Sequence, residues 1–397
     1  MTAASFNSAV LSLDMPAIPM AASWAEKYDG QHGQLIDLSQ AVPDFAPHEN
    51  LMQALCEAAR NPESLGYGPI EGEASLRAAY AANVNQLYNA NINEENVHIT
   101  SGCNQAFIAS LMVIASQGDS VLMSNPCYFN HEASAKLLGI DIKYVDCEEA
   151  NGFQPIISAF DEQIDHSVRA IALVSPNNPT GAIYSADLLD RIFALCEKHG
   201  IWLIIDETYR DFLPESNRLP HRLLNRENWQ SHLIALYSFS KTFCIPGHRL
   251  GAVTAGQETV NQMAKVMDNI QICAPRAAQL AVAKQLPLLD QWVSRNSEII
   301  QQRASVFIET MACVPDWSIL SMGAYFAYVK HPYSQLTSTR IAKVLASEFG
   351  VLPLPGSFFG RDQEHYLRVA FANVDREILS GLGDRLKHAE KHIRHKL

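Results

Sequence analysis

The 397-residue chain lacks the sequence features of several large protein classes. Its eight cysteines stand singly without a CxxC pair, so we predict reduced thiols in a cytoplasmic protein, with no disulfide framework and no metal site. No run approaches 18 consecutive apolar residues, which excludes a transmembrane helix. Acidic residues outnumber basic ones by 42 to 30, and the net charge of −12 disfavours nucleic acid and anionic membranes as partners.

The composition indicates a globular chain with a large core, since 48% of residues are hydrophobic and 18% are charged. At about 150 residues per domain, the length fits two to three domains, or one large α/β domain with an appendage. Residues 1–45 are irregular and rich in Pro, Ala and Met, which indicates an arm that leans on another surface. The segment has no basic start before its short apolar stretch, so we do not interpret it as a signal peptide.

From about residue 50, short apolar runs alternate with amphipathic helical patterns. Such runs between helices are typical of strands buried on both faces, and the alternation favours right-handed βαβ crossovers. The sequence therefore predicts an α/β fold whose large domain has a mainly parallel sheet between helices. The predicted strands are 96–100, 120–124, 170–175, 201–206 and 233–240, and the predicted helices are 104–116, 131–140 and 185–200.

The pattern changes after about residue 287. A long helical pattern over 288–311 leads to strand patterns at 324–330 and 365–372 and to a terminal helix at 376–396. We interpret this part as a second, smaller α+β domain. The predicted division is 1–45 for the arm and part of the small domain, 46–290 for the large domain, and 291–397 for the small C-terminal domain.

The most specific motif runs from Ser238 to Gly251, reads SFSKTFCIPGHRLG and follows an apolar strand. A lysine just past a buried strand is partly desolvated, which lowers its pKa and makes the amine of Lys241 available as a nucleophile. The hydroxyls of Ser238 and Ser240 and the forked guanidinium of Arg249 suit a phosphate group. On its own, an SxSK sequence is more often a solvated turn.

Three further motifs follow predicted strands, and each has an ordinary structural explanation when taken singly. Residues 175–181 (SPNNPTG) suit a turn, Asp206 within 205–209 (IDETY) suits a helix N-cap, and 101–105 (SGCNQ) suits a small-residue turn. The last two also suit a ligand site, because ligands of parallel sheets bind at the carboxyl edge and helix N-termini bind anions.

Together and in this order, the four motifs resemble the pyridoxal-phosphate (PLP) aminotransferases of class I/II and fold type I, the aspartate aminotransferase-like superfamily. The resemblance covers nearly the whole chain. It implies PLP-dependent transfer of an amino group between an amino acid and a 2-oxo acid. Further matching segments are IDLSQAVPDF (36–45), LGYGPIEGEASLRAAYA (65–81), NPCYFNHE (125–132) and YLRVAFAN (366–373).

The resemblance implies a role for each matching residue around the cofactor ring. Lys241 would form the internal aldimine with PLP and would then be the base that moves the proton between the substrate Cα and the cofactor. Asp206 would keep the pyridine nitrogen protonated. Tyr209 and Asn178 would hydrogen-bond the 3′ oxygen, and Tyr128 would stack on the ring face.

The resemblance also implies a phosphate site, a substrate site and a partner. Arg368 would clamp the substrate α-carboxylate, with Asn178 and Ala41 beside the substrate. Tyr67 matches the tyrosine that reaches the phosphate of the neighbouring subunit's cofactor, which implies a homodimer with shared active sites and an N-terminal arm packed on the partner. The residues implied at the phosphate are Gly102, Cys103, Asn104, Ser238, Ser240 and Arg249.

The resemblance implies cis peptide bonds before Pro126 and Pro179.

Three departures from the family's usual sequence bear on the substrate. Ala41 stands where the family usually has glycine, and His248 replaces a common aromatic residue. The stretch 267–270 (MDNI) lacks the arginine with which many members bind acidic side chains, and Arg276 lies too far along to serve, which argues against a dedicated aspartate enzyme of that kind.

Two other functions remain open on the same residues. PLP-dependent β-elimination from a sulfur amino acid would leave the lysine, aspartate and arginine unchanged, because fold does not determine reaction type. A non-catalytic PLP-binding regulator is a weaker alternative, since no DNA-binding extension is seen and the net charge is −12.

Overall fold

The computed structural model describes residues 4–214 and 218–396, so residues 1–3 of the predicted arm and residue 397 of the predicted small domain lie outside the described residues. The helices are α1 (Ser8–Leu11), α2 (Ala17–Ala25), α3 (Glu49–Arg60), α4 (Ala74–Tyr88), α5 (Cys103–Ile114), α6 (Phe129–Leu137), α7 (Ile157–Asp161), α8 (Ala186–His199), α9 (Trp229–His232), α10 (Phe239–Thr242), α11 (Gln257–Ile270), α12 (Arg276–Gln285), α13 (Asp290–Met311), α14 (Ser338–Phe349), α15 (Arg376–Ser380) and α16 (Leu382–Lys396). The strands are β1 (Ile36–Asp37), β2 (Val97–Thr100), β3 (Ser120–Asn125), β4 (Asp141–Asp146), β5 (Val168–Val174), β6 (Trp202–Asp206), β7 (Leu233–Ser238), β8 (Gly251–Ala255), β9 (Ser318–Gly323), β10 (Phe326–Lys330), β11 (Val351–Leu352), β12 (Leu354–Pro355) and β13 (Tyr366–Ala370).

Seven strands form the large sheet, in the order β2-β8-β7-β6-β5-β3-β4. The five strands from β7 to β4 are parallel, and β8 runs antiparallel to both of its neighbours. This arrangement confirms the predicted α/β fold with a mainly parallel sheet. The sequence did not predict β8, nor the edge strand β4, whose side chains are mostly half-buried or exposed and so lack an apolar run.

Apolar helix faces cover the large sheet on both sides, as parallel strands require. On one face, α4 contributes Tyr80 and Val84 and α8 contributes Ile192 to a large apolar cluster. On the other face, α5 contributes Phe107 and α11 contributes Met263 to a second cluster. The carboxyl ends of the central strands are therefore the part of the sheet left open for a ligand.

A smaller antiparallel sheet has the order β12-β13-β10-β9, and a separate apolar cluster packs it against helices including α13, α14 and α16. The predicted smaller α+β unit is thus present. Among the described residues, no helix is both long and apolar enough to cross a membrane. The division of the chain at residues 45 and 290 stays a prediction.

The N-terminal segment is more ordered than its sequence indicated. Helix α2 buries Ala21 and Trp24 against the small unit, and β1 pairs in parallel with β11, with Ile36 opposite Val351. The prediction of irregular structure over 1–45 is therefore wrong at these two elements and at the short helix α1. A nine-residue helix and a two-residue strand leave little local periodicity, and the partner of β1 is remote in the sequence.

Other boundaries differ from the predictions for identifiable reasons. The predicted strand 233–240 ends at Ser238, because the Ser238 side chain caps the short helix α10. The predicted terminal helix is divided at Gly381 into α15 and α16. The bonds before Pro126 and Pro179 are cis, which confirms both predictions, and the bond before Pro176 is also cis. All eight cysteines are unpaired.

Candidate active site

A pocket of about 210 Å³ lies at the carboxyl edge of the large sheet, where β5, β6 and β7 end. All of the sequence-predicted site residues line it except Gly102 and Tyr67. Those that do are Ala41, Cys103, Asn104, Tyr128, Asn178, Asp206, Tyr209, Ser238, Ser240, Lys241, Arg249 and Arg368. The other lining residues, which the sequence did not single out, are Ile18, Ser39, Gln40, Val42, Phe129, Val174 and Thr208.

The connection between β7 and β8 brings Lys241 to the pocket. Because these strands are antiparallel and Ser238 pairs with Gly251, residues 239–250 form one excursion beyond the sheet edge. The excursion starts with α10, whose N-cap Ser238 accepts a hydrogen bond from the Ser240 N–H at 3.3 Å. Lys241 lies near one end of the excursion and Arg249 near the other, so both reach the same pocket.

The surroundings of Lys241 favour its neutral amine. Burial, followed by the positive charges of Arg249 and Arg368, lowers the pKa of Lys241 from 10.5 to about 8, against the opposing effect of Asp206. A neutral amine close to physiological pH can act as a nucleophile and as a base.

The N-terminus of α5 forms the anion-binding end of the pocket. Gly102 is its N-cap, has a φ of 87° and leaves the helix without a side-chain cap, so the N–H groups of the first turn remain open. A Cβ on Gly102 would lie 2.4 Å from Nη2 of Arg249, which also donates to the Ser101 carbonyl at 3.3 Å. With the buried hydroxyls of Ser238 and Ser240, this set of donors suits a phosphate.

The end of β6 places a buried carboxylate at the opposite side. The Thr208 N–H donates to Oδ1 of Asp206 at 2.9 Å, and Nε2 of His131 lies 3.2 Å from Oδ2. Burial disfavours ionisation, but His131 and Thr208 outweigh it and hold the pKa of Asp206 below its usual value. A carboxylate that stays charged here suits a protonated ring nitrogen.

His131 is a site residue that sequence reasoning missed. Its ring stacks on Phe107 with centroids 3.8 Å apart, which fixes the imidazole beside Asp206. The only sequence signal was its position three residues after Tyr128, one turn into α6.

Two tyrosines in the pocket remain protonated and can donate hydrogen bonds. Burial raises the pKa of Tyr128 to about 12 and raises that of Tyr209 well above its usual value. Tyr209 packs edge-on against Phe326, with ring centroids 4.8 Å apart. The Asn130 side chain donates to the Tyr128 hydroxyl at 2.9 Å, so both rings are held in place.

Arg368, on β13 of the small sheet, is 1% exposed and reaches into the same pocket. It donates to the Ser39 carbonyl and, at 3.4 Å, to Oδ1 of Asn178, while its Nε has no partner among the described residues. Burial lowers its pKa to about 10, and no carboxylate in the described part of the chain forms an ion pair with it. A buried cation with a spare donor suits the carboxylate of a ligand.

Besides Gly102, three residues that the sequence singled out lie outside the pocket, namely Tyr67, His248 and Arg276. Tyr67 is 81% exposed. The loop before it is held by Arg276, whose Nε lies 2.5 Å from Oε1 of Glu73 and whose Nη1 donates to the Gly66 carbonyl at 3.2 Å. His248 is exposed at the turn before Arg249. The structure therefore does not bring Tyr67 to the pocket of its own chain.

The pocket combines a phosphate-type donor set, a buried carboxylate and a lysine of low pKa at the carboxyl edge of a parallel sheet. These groups fit the phosphate, the ring nitrogen and the aldehyde carbon of pyridoxal 5′-phosphate. The fold and the pocket thus define the class of PLP-dependent enzymes of fold type I.

The chain belongs to the aminotransferase class I and II family, whose model matches residues 33–386. It is 26% identical over 370 residues to the aromatic aminotransferase ISS1 of Arabidopsis thaliana, covering 91% of each chain. It is also 26% identical to an aspartate aminotransferase of Pyrococcus horikoshii, covering 88% of this chain and 89% of the other. The solved Bacillus subtilis BacF structure with bound substrate has the same fold, with a TM-score of 0.88, 24% identity, and coverage of 97% and 98%.

Family members use PLP to exchange amino groups between amino acids and 2-oxo acids, and the chain is a PLP-dependent aminotransferase.

Proposed function

We propose that the pocket carries out transamination with Lys241 as its acid–base residue, on an amino acid whose carboxylate is bound by Arg368. The main support is the convergence on one cavity of a low-pKa lysine, the ionised Asp206 and a buried arginine without a carboxylate partner. When bound, PLP supplies a pyridine ring that delocalises the negative charge developing at the substrate Cα.

The lysine and its neighbours have separable tasks. As a neutral amine, Nζ of Lys241 removes the proton from the substrate Cα, and its protonated form later returns a proton. Asp206, oriented by His131 and Thr208, holds the proton on the ring nitrogen. Arg368 fixes the substrate carboxylate and so orients the Cα–H bond toward the lysine.

The remaining pocket residues bind the cofactor. Tyr209 and Asn178 would donate to the 3′ oxygen of the cofactor, Tyr128 would stack on its ring, and Ala41 would border the substrate. The phosphate is held by the N–H groups that begin α5 after Gly102 and by side chains of the β7–β8 excursion. The residues assigned to the phosphate are Gly102, Cys103, Asn104, Ser238, Ser240 and Arg249.

The proposal includes a homodimer with shared active sites. Tyr67 is exposed, and Arg276 fixes the backbone just before it, so the phenol is presented at the surface rather than folded back. In a dimer it would donate to the phosphate in the partner subunit. Because none of the eight cysteines is paired, we place the protein in the cytoplasm, where thiols stay reduced.

Replacement of the lysine tests the proposed chemistry. Lys241→Ala should abolish amino transfer, and borohydride treatment of the wild-type holoenzyme should leave a cofactor label on the peptide that contains Lys241. Lys265→Ala is a matched control on the exposed part of α11 and should keep both properties. Label on another lysine, or release of ammonia and a keto acid from the donor without a 2-oxo acceptor, would contradict the proposal.

Subunit mixing tests the shared site. Losing one hydrogen bond to a charged phosphate should cost roughly 1.5–3 kcal/mol, so Tyr67→Phe should weaken PLP binding about ten- to a hundredfold while the dimer persists. A hybrid of Tyr67→Phe and Lys241→Ala subunits contains one site with both native residues, so it should be active at a PLP concentration too low to load the Tyr67→Phe homodimer. A monomer that turns over at the wild-type rate would refute the shared site.

A further inference from the structure

Several residues that line the pocket have no role in the chemistry proposed above. Ile18 from α2, Gln40 and Val42 from the segment after β1, and Phe129 at the start of α6 all line it. Three of these four side chains are apolar, and the amide of Gln40 forms no hydrogen bond to another described residue. This group, called here the neutral wall, is the part of the pocket that remains for a substrate side chain.

Every charged side chain that lines the pocket already has a task in the proposed function. Asp206 faces the ring nitrogen, Lys241 moves the proton, Arg249 binds the phosphate and Arg368 binds the α-carboxylate. Among the described lining residues, none is left to pair with a second carboxylate or with an ammonium group. A charge on the substrate side chain would therefore be buried against the neutral wall without a counter-ion, which is strongly unfavourable.

The cation held beside Tyr67 is already paired within its own subunit. In the proposed dimer, Tyr67 crosses to the neighbouring pocket, and Nη1 of Arg276 donates to its backbone carbonyl at 3.5 Å. That guanidinium is already paired with Glu73 at 2.5 Å and donates to the Gly66 carbonyl and to that of Glu63. Moving it to a substrate would break an ion pair and release the loop that carries Tyr67.

We infer that the enzyme exchanges amino groups between amino acids and 2-oxo acids whose side chains are uncharged, with an apolar stem and at most one neutral polar group at the level of Gln40. The inference rests on the proposed function, in which donor and acceptor occupy the same pocket in turn. The restriction therefore applies to both substrates. Glutamate, aspartate and their 2-oxo acids are poor substrates in either direction.

Isosteric substrates measure the restriction directly. Glutamine and glutamate differ by an amide in place of a carboxylate, so their ratio of kcat/KM isolates the charge. We expect glutamine to be favoured by at least about 100-fold, and methionine to be at least as good as glutamine. On the acceptor side, 2-oxohexanoate should exceed 2-oxoglutarate by a similar factor. Equal or better rates with the dicarboxylates would overturn the inference.

A substitution on the neutral wall should reverse the preference. Ile18→Lys places an ammonium group among the lining residues and should improve kcat/KM for glutamate relative to glutamine by about 10-fold or more. Ile18→Met is the matched control, because it has similar length without charge and should keep the wild-type preference. If Ile18→Lys prefers glutamine over glutamate as strongly as Ile18→Met does, a counter-ion on the neutral wall does not restore the acid and the inference is overturned.

Binding of unreactive acids separates this inference from the proposed function. Hexanoate and glutarate both offer one carboxylate to Arg368, but only glutarate carries a second. Titrated into the holoenzyme, hexanoate should raise the melting temperature at lower concentration than glutarate. If no amino acid reacts but hexanoate still binds better, the proposed chemistry fails and the neutral pocket stands. If glutamate reacts well and glutarate binds better, the chemistry stands and the neutral pocket fails.

Discussion

Two buried arginines, Arg210 and Arg368, differ in their ion pairs and in the direction of their pKa shifts. Arg210 is 4% exposed in a network behind the large sheet, 3.8 Å from Oε2 of Glu207 and 4.1 Å above the Tyr237 ring. Burial alone would lower its pKa, but the oxygens of Tyr80 and Tyr88, followed by nearby carboxylates, raise it well above its usual value.

The network around Arg210 includes a carboxylate partner for its charge. Nε2 of His221 lies 3.0 Å from Oε1 of Glu207, and the Tyr88 hydroxyl donates to the same carboxylate. Arg368 is equally buried and, like Arg210, has an Nε without a hydrogen-bond partner among the described residues, but its pKa falls to about 10 and none of the described carboxylates forms an ion pair with it. A buried charge that is paired with a carboxylate of the protein stabilises the fold, whereas one without such a partner is available to a ligand.

The sharpest test of this contrast is replacement of Arg368 by a neutral residue. Arg368→Gln should lower kcat/KM by about 10²–10⁴-fold, because two hydrogen bonds to the substrate carboxylate are lost at roughly 1.5–3 kcal/mol each. The free energy of unfolding should change by less than about 1 kcal/mol, since no internal ion pair is broken. Steady-state kinetics and urea unfolding measure the two effects. Loss of stability without loss of catalysis would reverse the assignment.

In the network around Arg210, a substitution should lower stability more than catalysis. Glu207→Gln leaves Arg210 without its carboxylate and should lower the free energy of unfolding by about 3–5 kcal/mol, with kcat/KM of the folded enzyme changed less than about tenfold. Glu149→Gln is the matched control, because Glu149 pairs with Lys330 at the surface and should lose no more than about 1 kcal/mol. If both variants lost a similar amount of unfolding free energy, burial would not determine how much these ion pairs contribute to stability.

The anion end of the pocket offers a smaller test. A Cβ on Gly102 meets Arg249 at 2.4 Å, whereas one on Gly118, at the same φ of 87°, meets nothing within 4 Å. Gly118→Ala therefore reports backbone strain alone, about 1–3 kcal/mol of unfolding free energy. Gly102→Ala should lose a similar amount and also bind PLP more weakly, as followed by cofactor titration of the apoenzyme. Unchanged PLP affinity in Gly102→Ala would remove this glycine from the phosphate site.

The smallest expected effect is a shift in a titration. In the cofactor-free enzyme, Lys241 should react with acetic anhydride with a midpoint near pH 8, because its lowered pKa exposes the neutral amine at lower pH than the usual 10.5. Since Arg368 contributes to that lowering, Arg368→Gln should move the midpoint upward, while an Arg210→Met variant should leave it unchanged. Mass spectrometry of the labelled peptide gives the midpoint, and a wild-type value near 10.5 would contradict the assignment.

The sequence predicted the pocket well where each residue type follows the end of a strand. Asp206, Ser238 and Lys241 belong to contiguous motifs whose position after apolar runs put them at the carboxyl edge of the sheet. Arg368 was accessible only through the family resemblance, because a lone arginine on a strand more often makes a surface salt bridge. Its position beside Asn178 depends on the packing of the small sheet against the large one.

The residues that the sequence did not predict have in common that their spatial neighbours are distant in the sequence. His131 meets Asp206 only in the folded chain, and Ile18 reaches the pocket only because α2 packs on the small unit. The network around Arg210 was invisible for the same reason, since its tyrosines come from α4 and β7. Local patterns predict elements and their ends, but they do not predict which elements meet.

The parallel pairing of β1 with β11 has a consequence for the order of events during synthesis. Ile36 leaves the ribosome early, but its partner Val351 is more than 300 residues later, which at 5–20 residues per second is about 15–60 s. The large sheet can fold during this interval, whereas the segment with Ile18, Gln40 and Val42 waits for the C-terminal part of the chain. The wall of the pocket therefore assembles only after most of the chain has been synthesised, and slowed translation or a late truncation would leave its apolar side chains exposed to chaperones.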